Sequence, residues 1–70
     1  MEQGRVDWYS VNLGYGFIFP QGADPRETKI FMSREDIAAG EEEKMENNAW
    51  VSYEVVQGTE GPEARNVSRI

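Results

Sequence analysis

Tyr15, Phe17 and Phe19 occupy alternate positions of a short segment flanked by Gly14 and Pro20, and Phe31 and Trp8 stand in neighbouring segments. Side chains alternate along a strand, so these three rings share one face while Gly14, Gly16 and Ile18 share the other. A row of exposed rings stacks planar ligands, and nucleobases are the planar ligands that tolerate such a surface whatever their sequence. Covalent chemistry has little to work with. The chain has no Cys and no His, which removes disulfides, thiolate and imidazole metal sites, and the usual nucleophile and base pairs. Carboxylates such as Asp7, Asp36 and Glu54 remain, but nothing pairs them with a nucleophile, so an enzyme is not expected, and neither is a cofactor.

The elements that must position the rings are short. In 70 residues there is room for one domain over 1–70, without internal repeat or linker. Gly and Pro punctuation predicts strands at Arg5 to Ser10, Tyr15 to Phe19, Thr28 to Met32, Trp50 to Val56 and Glu63 to Ser68. Val11-Asn12-Leu13-Gly14 reads as a turn, Pro20 to Pro25 as a loop, and Gln57 to Pro62 as the turn between the last two strands. On the third strand Lys29, Phe31 and Ser33 share one face, and Ile30 and Met32 the other, which is core. Val51, Tyr53 and Val55 share one face of a half-buried fourth strand, and Ala64 and Val67 mark the short fifth. Ser33-Arg34-Glu35-Asp36 predicts a capped helical turn ending before Gly40, with the Ser33 hydroxyl accepting from an amide. Glu41 to Glu46 reads as a solvated acidic loop or single turn. So short a chain, with no staple, points to an all-β class: a small closed antiparallel barrel, because closure removes exposed edges.

Charge argues against the rings. The net charge is −6, and all of it arises after Arg34, since residues 1–34 carry equal numbers of acids and bases. Phosphate binding draws on Lys and Arg, and the bases near the rings are Lys29, Arg34 and, less directly, Arg5. No apolar run approaches the length of a membrane span, and no basic and apolar leader precedes the first strand, which points to a cytoplasmic protein with no membrane partner. A monomer is the expectation.

Gly4-Arg5-Val6-Asp7-Trp8-Tyr9, Gly14-Tyr15-Gly16-Phe17-Ile18-Phe19-Pro20, Ile30-Phe31-Met32-Ser33, Val51 to Val56 and Gly61-Pro62-Glu63-Ala64-Arg65-Asn66-Val67 occur in this order along nearly the whole chain. Together they resemble the bacterial cold-shock domain, whose pattern is G-x-V-K-W-F-N, K-G-F-G-F-I-x-P, V-F-V-H and G-P-x-A-x-N-V. The resemblance implies a five-stranded oligonucleotide-binding (OB) barrel that holds single-stranded RNA or DNA on an aromatic platform. Its expected contacts are Trp8, Tyr15, Phe17, Phe31, Ser33, Arg34 and Lys29.

Several positions depart from that pattern. Asp7 and Leu13 stand where the family carries lysines, so two phosphate contacts are absent. Ser33 replaces the histidine and keeps only a hydrogen bond. Arg34 replaces an aromatic, and its planar guanidinium can stack as well as meet phosphate. A phenylalanine of the following loop aligns near Glu42, and Glu60 replaces a common base. Phe19 and Trp50 are aromatic where the family is commonly polar. The second reading is therefore a protein-interaction domain that keeps the barrel and meets a partner through Phe19, Trp50 and the acidic loop.

Overall fold

The computed structural model describes residues 1–22, 29–59 and 61–70. Five strands, β1 (Glu2–Ser10), β2 (Tyr15–Pro20), β3 (Ile30–Ser33), β4 (Trp50–Gly58) and β5 (Gly61–Arg69), close into a barrel in the order β1-β2-β3-β5-β4. Four of the five seams are antiparallel. The closing one, β3 on β5, is parallel, with Phe31 opposite Glu63. An isolated parallel bridge from Ile37 to Val67 continues that seam beyond the end of β3. Thr28, the expected start of the third strand, Ala23 to Pro25 of the expected loop and Glu60 of the last turn lie outside the described residues. The other strands fall where the patterning predicts and run up to three residues longer.

The interior is filled by Val6, Ile18, Ile30, Met32, Val51, Tyr53, Ala64 and Val67, with Ile37, Met45 and Ala49 closing it. Period-two burial is clear in β3, where Ile30 and Met32 are buried and Phe31 and Ser33 are only half-buried. Tyr53 is fully buried, and its hydroxyl donates to the Gln3 carbonyl at 3.4 Å. Burial first, and Glu2 second, raise its pKa above the ordinary tyrosine value. Val55 departs from expectation: its partner on β5, Ala64, is buried, but β1 pairs with β4 only as far as Glu2 opposite Tyr53, so Val55 lies past the last β1–β4 pair and stays exposed.

Two irregularities break the alternation. In β5 the register shifts between the Ser52 and Glu54 pairs, and Asn66, at φ 54°, absorbs the extra residue so that Tyr53 and Val67 both stay inside. In β1 the shift lies between Val6, opposite Ile18, and Trp8, opposite Phe17, which makes Asp7 the extra residue. Strict alternation would send Trp8 inward behind Val6. The bulge turns it outward instead and turns Tyr9 toward the core, where it packs as a partly buried ring. At this point the strands approach so closely that a Cβ on Gly16 would lie 2.2 Å from the Trp8 carbonyl oxygen and 2.7 Å from the Tyr9 Cα.

The Glu41 to Glu46 segment does more than meet solvent. One 3₁₀ turn spans Arg34–Asp36 and another Glu42–Lys44. At the first, the Ser33 amide and hydroxyl both donate to the Asp36 carboxylate, at 3.1 and 3.0 Å, and Ser33 and Asp36 close the turn as a reciprocal capping box, with the Ser33 side chain also facing the Asp36 amide as the patterning predicts. Glu41 accepts from Lys44 at 2.8 Å, and from the Ser68 hydroxyl and the Arg69 amide at 3.1 Å each. Those bonds, Lys44's foremost, hold its pKa below the ordinary carboxylate value.

Gly16→Ala is expected to cost about 1–3 kcal/mol or more, because backbone must move to admit the methyl group. Ile18→Ala is expected to cost about 2–5 kcal/mol through the cavity it leaves, whereas Leu13→Ala should change stability by no more than about 0.5 kcal/mol. Chemical denaturation of the three variants checks this; a Gly16→Ala protein as stable as Leu13→Ala would contradict the close approach.

Candidate nucleic-acid interface

Trp8 from β1, Tyr15 and Phe17 from β2 and Phe31 from β3 form one continuous cluster on the outer face of the barrel. The registers Trp8 opposite Phe17 and Phe17 opposite Phe31 set the three strands' rings side by side. Trp8 lies 5.4 Å from Tyr15 and 5.8 Å from Phe17, Phe17 lies 5.7 Å from Phe31, and all three contacts are edge-on. Tyr15 and Phe31 are stacked at 5.8 Å with 28° between their planes. Edge-to-face and offset contacts of this kind are favourable aromatic geometries, so the four rings support one another as a cluster. Each ring is half-buried. The core positions behind them belong to Ile18, Ile30 and Met32, so the rings are a surface and not a displaced core.

An open groove of about 800 Å³ runs over Trp8, Phe17 and Phe31 and is walled by Lys29 on one side and by Thr59, Pro62 and Glu63 of the β4–β5 hairpin on the other. The parallel pairing of Phe31 with Glu63 brings that hairpin to the groove. Sequence patterning does not reveal this wall, because the two strands are far apart in the chain and are brought together only by closure.

Lys29 and Arg34 reach the cluster's flanks, and each is held by a carboxylate. Lys29 Nζ pairs with Asp7 at 2.9 Å. Arg34 Nε pairs with Glu42 at 2.7 Å, and its terminal nitrogen donates to the Val11 carbonyl. The guanidinium lies over Gly14, whose φ of 79° closes the β1–β2 turn and where a Cβ would come within 3.4 Å of it. The Tyr9 hydroxyl donates to the same Glu42 carboxylate at 2.5 Å. Burial, then Glu42, push the Tyr9 hydroxyl up to about 12. Arg34 first and Tyr9 second hold Glu42 below the ordinary carboxylate range. The clamp is thus intact above the ordinary carboxylate pKa and is lost as pH falls through the lowered one. Neither Tyr9 nor Glu42 was an expected site residue, and the patterning offers no signal for their meeting across 33 positions. Ser33 stands opposite Tyr15 with its hydroxyl given to Asp36.

Phe19 and Trp50 stand apart from the ring cluster. Arg5 sits between them as the direct cross-strand neighbour of both, with its guanidinium 5.5 Å from the Trp50 ring centroid, and Lys29 Nζ lies 5.1 Å over the Phe19 ring. Among the described residues no group of three or more Asp and Glu side chains is arranged to hold a metal ion, and no helix is long and apolar enough to cross a membrane. Asp7 is paired with Lys29, and Asp36 accepts from Ser33 and pairs with Arg65 at 3.4 Å.

The model of the 'Cold-shock' DNA-binding domain family matches residues 2–70. The chain is 34% identical to the cold shock protein of Arthrobacter globiformis and 34% identical to cold shock protein CspB of Geobacillus stearothermophilus, over the full length of both chains in each case. It is 33% identical, again over the full length of both, to cold shock protein CspD of Bacillus subtilis. With a barrel of this topology, an outward aromatic row on β1 to β3 and a family match from Glu2 to Ile70, the chain belongs to the cold-shock domain family.

Proposed function

We propose that the protein binds single-stranded RNA or DNA by stacking bases on Trp8, Tyr15, Phe17 and Phe31, and that it performs no catalysis. The observation that carries this reading is the cluster itself: four half-buried rings, pre-packed edge to face, beneath a groove open along its length. Base stacking on such rings supplies about 1–3 kcal/mol per base. Electrostatics supplies less here than in a basic protein, since Lys29 and Arg34 must exchange Asp7 and Glu42 for phosphate. Ser33 contributes a weaker polar contact, its hydroxyl being shared with Asp36. With this reading go a monomer and a cytoplasmic location, where the open face meets a strand directly.

Phe17→Ala and Phe31→Ala are each expected to weaken binding of a short oligothymidylate or oligouridylate by about 1–3 kcal/mol while costing little fold stability. Tryptophan fluorescence titration beside a denaturation curve separates the two effects. Variants that unfold as readily as Ile18→Ala would show the rings to be core and end this proposal.

Salt provides a second check. For single strands log K falls against log salt with a slope of about −0.7 per phosphate neutralised, so two or three cations predict a slope no steeper than about −2. Asp7→Asn with Glu42→Gln releases Lys29 and Arg34, and is expected to raise affinity at low salt and steepen the slope. An unchanged slope would show that neither cation meets phosphate.

A further inference from the structure

We infer that the row Trp50–Arg5–Phe19, on the flank of the platform, is an additional stacking subsite that takes a base of the same single strand once that strand is long enough to pass Lys29. The inference rests on the nucleic-acid reading above and extends it to a surface that the four-ring platform does not include.

The row is built by register. Arg5 on β1 is opposite Trp50 on β4 and opposite Phe19 on β2, so the three side chains lie abreast on the outer face of three adjacent strands. A groove of about 170 Å³ lies over them, with Asn48 at its rim. The recess is small and bounded by two rings and a guanidinium, a lining that suits a planar heterocycle. Trp50 is 44% exposed, which is unusual for the largest side chain in a chain this short. The Asn48 amide N–H donates to the Val6 carbonyl at 2.7 Å, so the loop that leads into Trp50 is tied to β1. The exposed Asn48 side chain offers both a donor and an acceptor to a base edge.

Chemistry and continuity choose the occupant. Ring, guanidinium, ring and ammonium follow one another as Trp50, Arg5, Phe19 and Lys29, which suits a ligand that alternates flat bases with phosphates. Among the described residues Arg5 forms no ion pair, in contrast to Lys29 and Arg34, and its guanidinium lies by the Trp50 ring. Lys29 belongs to both places: it walls the groove over Trp8, Phe17 and Phe31 and lies over the Phe19 ring. Phe17 and Phe19 are two residues apart on one strand, about 7 Å, a distance that one flexible nucleotide spans.

The test uses oligothymidylates of about 4 and about 10 nucleotides, bracketing the short end of the footprints that OB barrels cover. Trp50→Ala is expected to leave the short strand's Kd within about twofold of the parent's and to weaken the long strand by about 5- to 140-fold, the equivalent of one lost stack. Phe17→Ala should weaken both. In a Trp8→Phe background the remaining Trp50 fluorescence should be quenched by the long strand and not by the short one, which reads the subsite without removing it. If Trp50→Ala binds the long strand like the parent, or Trp50 fluorescence does not respond to it, the subsite is overturned and the row is left to a protein partner. If Phe17→Ala binds both strands like the parent, the platform reading has failed, which is a separate result.

Discussion

The contact on which the binding face depends is the near-touch of β1 and β2 at Gly16. With no side chain at that position, the Trp8 carbonyl and the Tyr9 Cα come within a distance that a Cβ could not share. That approach accommodates the extra residue Asp7, and the extra residue inverts the pleat. Everything after it follows. Trp8 joins the outward rings of β2 and β3, Tyr9 turns back to the core and to Glu42, and Asp7 is left at the platform's edge facing Lys29. The exposed row would lose its tryptophan to the core if β1 alternated regularly along its length.

Charge in this protein is spent internally. The net charge of −6 would seem to exclude a phosphate ligand, but much of the acidity is engaged in holding the structure. Glu41 ties the Glu42–Lys44 turn to the end of β5, Glu42 fastens Arg34 and Tyr9 across the mouth of the β1–β2 turn, and Asp36 closes the turn after β3. Surface pairs of this kind are individually weak and screened by salt, so they position loops more than they stabilise the fold. On the reading proposed above, Lys29 and Arg34 compete for phosphate with their own carboxylates, Asp7 and Glu42, and stacking is the larger source of affinity.

The barrel replaces covalent staples with closure. A core led by Tyr53, Ile18, Met32, Val6, Val51 and Val67, each fully buried, is enclosed by five strands, each paired with a neighbour on both sides. Because β3 is only four residues long, the seam with β5 is the shortest in the barrel, and the Ile37 to Val67 bridge extends it after the 3₁₀ turn. The same seam carries Glu63 and Pro62 to the groove, so closing the fold and walling the site are one event.

Alternation, Gly and Pro punctuation and composition were enough to determine the class, the five strands, the core faces of β2 and β3, and the identity of the rings, because each of these depends on neighbours within a few residues. The ordered motifs from Gly4 to Val67 added the family. What the tertiary structure alone decided depends on pairs distant in the chain. These are the Asp7 bulge that turns Trp8 outward, the exposure of Val55 past the last β1–β4 pair, the capture of Arg34 by Glu42 and Tyr9, and the meeting of Trp50, Arg5 and Phe19 across three strands. A period of two predicts which face a residue shares with its own strand. It carries no information on where register shifts, or on which side chain waits across the seam, since both are set by closure of the whole barrel.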